Sequence, residues 1–113
     1  MTIFRHFLKK STNDFSLMEA AQILHDQPDS AILLDVRSDE EWKEGHLSCA
    51  HHIPHDQIRQ RAKEELPLDK PLFVYCRSGH RAGLAKKDLE ELGFTEVHNV
   101  GGILDYKGDL EVF

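Results

Sequence analysis

The stretch VYCRSGHRAG, residues 74–83, sets Cys76 between an apolar run and a glycine-punctuated loop carrying two arginines. A cysteine kept for packing would sit among apolar residues and would need neither the glycine nor the guanidinium groups. The thiolate, not the thiol, is the nucleophile, and it is favoured at helix N-termini and beside cations. If a strand ends at residue 76 and a helix begins near 82, the loop Arg77, Ser78, Gly79, His80 and Arg81 can converge its backbone N–H groups on one point. The first free N–H groups of the helix, Ala82 included, add to them. The helix dipole and the two guanidinium groups supply positive potential, with Arg81 at the helix start expected to matter more than Arg77. Such a cradle activates a sulfur and holds an anion seated on it. His80 stands in the same loop, placed either to touch an acceptor or to face solvent.

The elements that must position this loop can be read from pattern. Ser16 with Glu19 forms a capping-box signal for a helix over 16–26, with Leu17, Ala20, Ala21 and Leu24 on one face. AILLDV follows QPDS as a strand-like apolar run. A second box, Ser38 with Glu41, opens a short helix carrying Trp42 and ended by Gly45. AHHIP is a brief strand, and DQIRQRAKEEL a polar helix with Ile58, Ala62 and Leu66 as its spine. PLFVYC is a strand, RAGLAKKDLEEL a helix, EVHNV a strand, and a helical turn follows near Leu104 and Tyr106. Strands alternating with helices predict a mostly parallel sheet covered on both faces. Ligands of such sheets bind outside the carboxyl ends of the strands. Cys76 is the one nucleophilic thiol predicted at that edge.

Bulk properties narrow the class. The 113 residues allow one domain. The formal net charge of −6 and pI near 5.7 argue against a nucleic-acid surface. Two cysteines, in no CxxC pair, form neither a disulfide framework nor a zinc-finger spacing, so a reducing compartment fits. The start, MTIFRHFLKK, has an apolar run too short and broken for a signal-peptide core, and no stretch approaches a membrane span. A cytoplasmic location is expected.

CRSGHRAG after an apolar strand, LLDVRSDEEWKEGHL about forty residues earlier, IP at 53–54 and VGGI at 100–103 together resemble the rhodanese (thiosulfate sulfurtransferase) family, its single-domain members in particular. The likeness spans about residues 15–108. It implies an α/β, rhodanese-like fold: a five-stranded, mostly parallel sheet with helices on both faces, in one domain over 15–113 behind an N-terminal segment 1–14. It also implies that Cys76 takes a sulfane sulfur as a persulfide from a small anionic donor, thiosulfate or a persulfide. The sulfur would pass to cyanide, a thiol or a protein acceptor such as thioredoxin, with no cofactor, metal, nucleic acid or membrane involved. Arg77, Ser78, Gly79, His80, Arg81 and Ala82 would bind the donor. Asp35 and Arg37 match the family's DxR, and Glu44, Gly45 and His46 its EGH; both read as architecture.

Departures from the pattern matter. Cys49 stands where the family's EGHIPGA has a glycine, either as a small turn residue or as a resolving thiol for Cys76. Tyr106 replaces a tryptophan common after the double glycine. His46, His51, His52 and His55 fit no standard zinc spacing, and neighbouring strand residues face opposite ways. Two other functions compete. A cysteine phosphatase or arsenate reductase of the same fold would need C-x5-R, whereas Ala82 occupies that position and Arg81 comes one residue early. A non-catalytic rhodanese-like module that binds a partner or senses redox state is the other; loss of the cysteine is its usual mark, although a low-pKa, exposed thiolate such as Cys76 could also serve in sensing.

Overall fold

A computed structural model describes residues 15–112; the N-terminal segment 1–14 lies outside the described residues. Helix α1, Leu17–Asp26, is opened by Ser16, whose hydroxyl accepts the Glu19 N–H while the Glu19 carboxylate accepts the Ser16 N–H. Strand β1 is Ile32–Asp35, and α2, Asp39–Glu44, starts on the same reciprocal pair made by Ser38 and Glu41. Strand β2 is His51–His52, and a 3-10 turn, His55–Gln57, runs into α3, Ile58–Glu65. Strand β3, Leu72–Cys76, helix α4, His80–Glu91, strand β4, Val97–Gly102, and a 3-10 turn, Ile103–Asp105, complete the order.

The sheet is parallel throughout, in the order β2-β1-β3-β4. It has four strands among the described residues, not the five expected. Three of the four strands, β1, β3 and β4, have four to six residues, whereas β2 is only the two-residue pair His51–His52 at the sheet edge. Among the described residues an isolated antiparallel bridge, His46 to Glu111, folds the C-terminal segment back without adding a strand.

Alternation along the strands divides the core. Leu34, Val36, Leu72, Val74 and Cys76 pack with Ile58 and Ala62 of α3 and Ala82, Ala85 and Leu89 of α4. Leu33, Phe73 and Tyr75 face the other way, onto Leu17, Ala20, Ile23 and Leu24 of α1, with Tyr106 part-buried beside them. Central β3 is buried at all five positions, as a parallel strand covered on both faces must be. Its last residue is Cys76, and α4 packed against β3 brings a helix start up to the same edge.

Helix α4 starts earlier than the expected residue 82, at His80. Gly79 supplies the reason: as N-cap it lies in the left-handed region (φ +109°, ψ −15°), which glycine enters without a Cβ penalty. The chain thereby turns into the helix within Arg77, Ser78 and Gly79. His80 and Arg81 become first-turn residues, and Ala82 becomes the third.

Candidate functional site

Cys76 is buried, 1% exposed, at the carboxyl end of β3. Two backbone N–H groups point at its sulfur: that of Gly79 at 3.0 Å and that of Ala82 at 3.4 Å. The Ala82 N–H is one of the helix's otherwise unpartnered N-terminal donors, so Sγ takes the place that a capping side-chain oxygen usually fills. Gly79 itself offers no side chain for capping. The sulfur therefore sits on the positive end of α4, and negative charge on it, or on an atom bonded to it, is favoured.

The loop rests on the end of β4. Cys76 pairs in register with Gly102, and a Cβ at Gly102 would collide with the Arg77 carbonyl, so glycine is required there. The Leu104 N–H donates to that same carbonyl at 3.2 Å. Asn99 Nδ2 donates to the Gly79 carbonyl at 3.0 Å while its Oδ1 accepts the Gly101 N–H at 2.9 Å. These bonds fix the peptide planes of the loop, and with them the direction of the donors.

The two arginines have different roles. Arg81 is bound bidentately to Glu41, with NH1 to Oε1 at 2.6 Å and NH2 to Oε2 at 2.9 Å. This hydrogen bonding to Arg81 is the largest cause holding the Glu41 carboxyl down at about 2. The same carboxylate raises Arg81. Arg77 is exposed and makes no ion pair among the described residues. Ser78 and His80 are exposed too, whereas Ala82 is buried against the core.

Around the site runs a buried scaffold. Asp35, 0% exposed, accepts the backbone N–H of Arg37 and its Nε and NH2. Arg37 NH2 also donates to the Gly45 carbonyl at 2.7 Å, which joins β1 to the end of α2. Burial alone would lower Arg37, but the Asp35 hydrogen bonds and charge outweigh it and the guanidinium is held up. His46 is buried, lies on the Trp42 indole with ring centroids 3.3 Å apart, and meets the Trp42 carbonyl through Nδ1. Glu44 is exposed on α2.

The description "Rhodanese-like domain" matches residues 16–109 of the chain. The chain belongs to the rhodanese family. The chain is similar to the Bacillus subtilis protein YqhL, 39% identical over 82 residues, 72% of this chain and 64% of YqhL. It thus spans less than two thirds of that relative's length. It is also similar to the thiosulfate sulfurtransferase PspE of Escherichia coli, 38% identical over 73 residues, 64% of this chain and 70% of PspE. A tRNA uridine(34) hydroxylase of Escherichia fergusonii is 32% identical over 104 residues, 85% of this chain and 29% of its own. Among solved structures, a Bacillus halodurans protein superposes with a TM-score of 0.79 at 27% identity, covering 97% of this chain and 84% of that one.

The second thiol of this rhodanese lies elsewhere. Cys49 precedes β2 and borders Ala31, Ile32 and Lys70 at the amino ends of β1 and β3. Although the residue is exposed overall, partial burial pushes the Cys49 thiol up, away from the reactive thiolate. A five-residue strand separates the two edges by roughly 13 Å. The histidines also part company: His51 pairs with Glu65 at 2.7 Å, His52 meets the Arg37 carbonyl at 2.8 Å, and no metal-holding cluster occurs among the described residues. Sequence reasoning missed Glu41 and Asn99 as supports of the loop. Glu41 was legible only as a helix cap, and its partner stands forty positions away.

Proposed function

We propose that this rhodanese is a sulfurtransferase working through a Cys76 persulfide. The observation that carries the reading is the Cys76 sulfur at the carboxyl edge of the sheet, facing the Gly79 and Ala82 N–H groups. With thiosulfate, the Cys76 thiolate attacks the outer sulfur, the S–S bond breaks, and sulfite leaves with the bonding pair. The enzyme retains one sulfur as Cys76–S–S⁻. An acceptor thiolate or cyanide then attacks the outer sulfur, giving a new persulfide or thiocyanate and returning the Cys76 thiolate. The N–H groups hold the anionic sulfur in both halves of the cycle.

Burial of the thiol favours a donor that presents a slim, single-atom end over a tetrahedral oxyanion. Phosphate chemistry would call for a guanidinium clamp over the sulfur, and Arg81 is already held by Glu41. A thiol or a protein such as thioredoxin serves as acceptor, in a reducing cytoplasm. No described helix is long and apolar enough to cross a membrane. Incubation with excess thiosulfate followed by intact-mass measurement adds one sulfur atom, and Cys76→Ser loses both adduct and turnover. An adduct that survives Cys76→Ser, or hydrolysis of a chromogenic phosphate ester in place of sulfur transfer, refutes the reading.

A further inference from the structure

Anion binding near a sulfur is strengthened by free positive charge, and one of the two arginines that follow Cys76 is already held in an ion pair. The Glu41 carboxylate is fixed independently of Arg81: its Oε1 accepts the Ser38 N–H at 3.0 Å and the Ser38 hydroxyl at 3.0 Å. That reciprocal pair anchors it to the start of α2, which the Arg37–Gly45 bond in turn ties to β1. Arg81 therefore meets a carboxylate that cannot swing away. The bidentate geometry uses the fork that would otherwise grip an oxyanion. The pair is part-buried, with side chains 27% and 25% exposed, so solvent screens it only in part. Exposed Arg77 remains as the cation without a partner among the described residues.

We propose that Glu41, by holding the Arg81 guanidinium in this ion pair, sets the donor class of the Cys76 site. The site prefers sulfane donors with at most one negative charge, alkyl persulfides above all, and turns over dianionic thiosulfate less efficiently. This rests on the sulfur-transfer reading. For an alkyl persulfide, the Cys76 thiolate attacks the terminal sulfur, the S–S bond breaks, and the alkyl thiolate leaves with the bonding pair. Cys76–S–SH retains the proton and the transferred sulfur. No oxyanion needs a guanidinium at any point, and the two N–H groups suffice.

The test is Glu41→Gln, which keeps an oxygen acceptor for Ser38 and removes the charge. The ratio of kcat/KM for thiosulfate to that for an uncharged alkyl persulfide should rise roughly five-fold, the size of one part-exposed charge. Adding Arg81→Ala to that variant should abolish the gain. Binding of thiosulfate itself, read by calorimetry in a Cys76→Ser background, should tighten by a similar factor in Glu41→Gln. That measurement needs no turnover, so a failed sulfur-transfer reading and a failed charge-masking reading give different results. Should Glu41→Gln fold poorly, Arg77→Ala decides the matter: with Arg81 masked, thiosulfate binding falls roughly five-fold, the size of one exposed charge. Unchanged donor ratios in Glu41→Gln, no thiosulfate binding in either background, or thiosulfate affinity retained in Arg77→Ala would each overturn the proposal.

Discussion

The Cys76 sulfur is a helix cap as well as a nucleophile. It accepts from the third residue of α4, where a serine or aspartate oxygen usually stands, and so the chain gains local order from the atom that reacts. Glu41 shows a comparable double use, capping α2 and neutralising Arg81. Because its folded value lies near 2 against an ordinary 4.5, its contribution to stability is fully present above pH 4.5 and is lost as pH falls through about 2. The Tm difference between the parent and Glu41→Gln should therefore be constant from neutrality down to that upper value and shrink below it. A difference that already vanishes in mildly acidic solution would show that Glu41 titrates as an ordinary exposed carboxylate.

At the scale of elements, the donor cradle is shaped by the end of β4 as much as by the loop. The Arg77 carbonyl packs against the bare Cα of Gly102, and Asn99 Nδ2 donates to the Gly79 carbonyl from the same strand. Gly102→Ala forces the loop or β4 to shift, an overpacking that costs about 1–3 kcal/mol. The Gly79 N–H would then lose its aim at the sulfur. We expect a lower Tm and formation of the Cys76 adduct at least ten-fold slower, measured by time-resolved intact mass. Parent-like adduct formation in Gly102→Ala would mean that the loop holds its shape without β4.

For the whole molecule, the decisive fact is that the two thiols occupy opposite edges of the sheet. A disulfide needs Cα atoms about 4.4–6.8 Å apart, and roughly the full length of β3 separates the edges. Mild peroxide followed by peptide mapping should give no Cys49–Cys76 disulfide, and Cys49→Ala should keep sulfur transfer within a few-fold of the parent. Detection of that disulfide in folded protein would require an opening of the sheet that the packing of α1 and α4 opposes. The Asp35–Arg37 pair and its bond to Gly45 hold the carboxyl edge from beneath, since β1, α2 and β3 converge on it.

What the sequence determined by itself is local or periodic: the Ser16–Glu19 and Ser38–Glu41 boxes, the apolar strand runs, the helix stripes, and a thiol at a strand end before a glycine loop. Each of these depends on neighbours within a few positions, so composition and spacing suffice to read it. The tertiary structure decided the rest. The left-handed Gly79 moved the start of α4 to His80, and the described sheet closed with four strands. Glu41 reached Arg81 across forty residues, so the arginine expected to matter more is the one held in an ion pair. Arg77 stayed exposed, with no ion pair among the described residues. Which cation a sulfur donor meets follows from side chains brought together by packing, and no local pattern in the chain encodes that meeting.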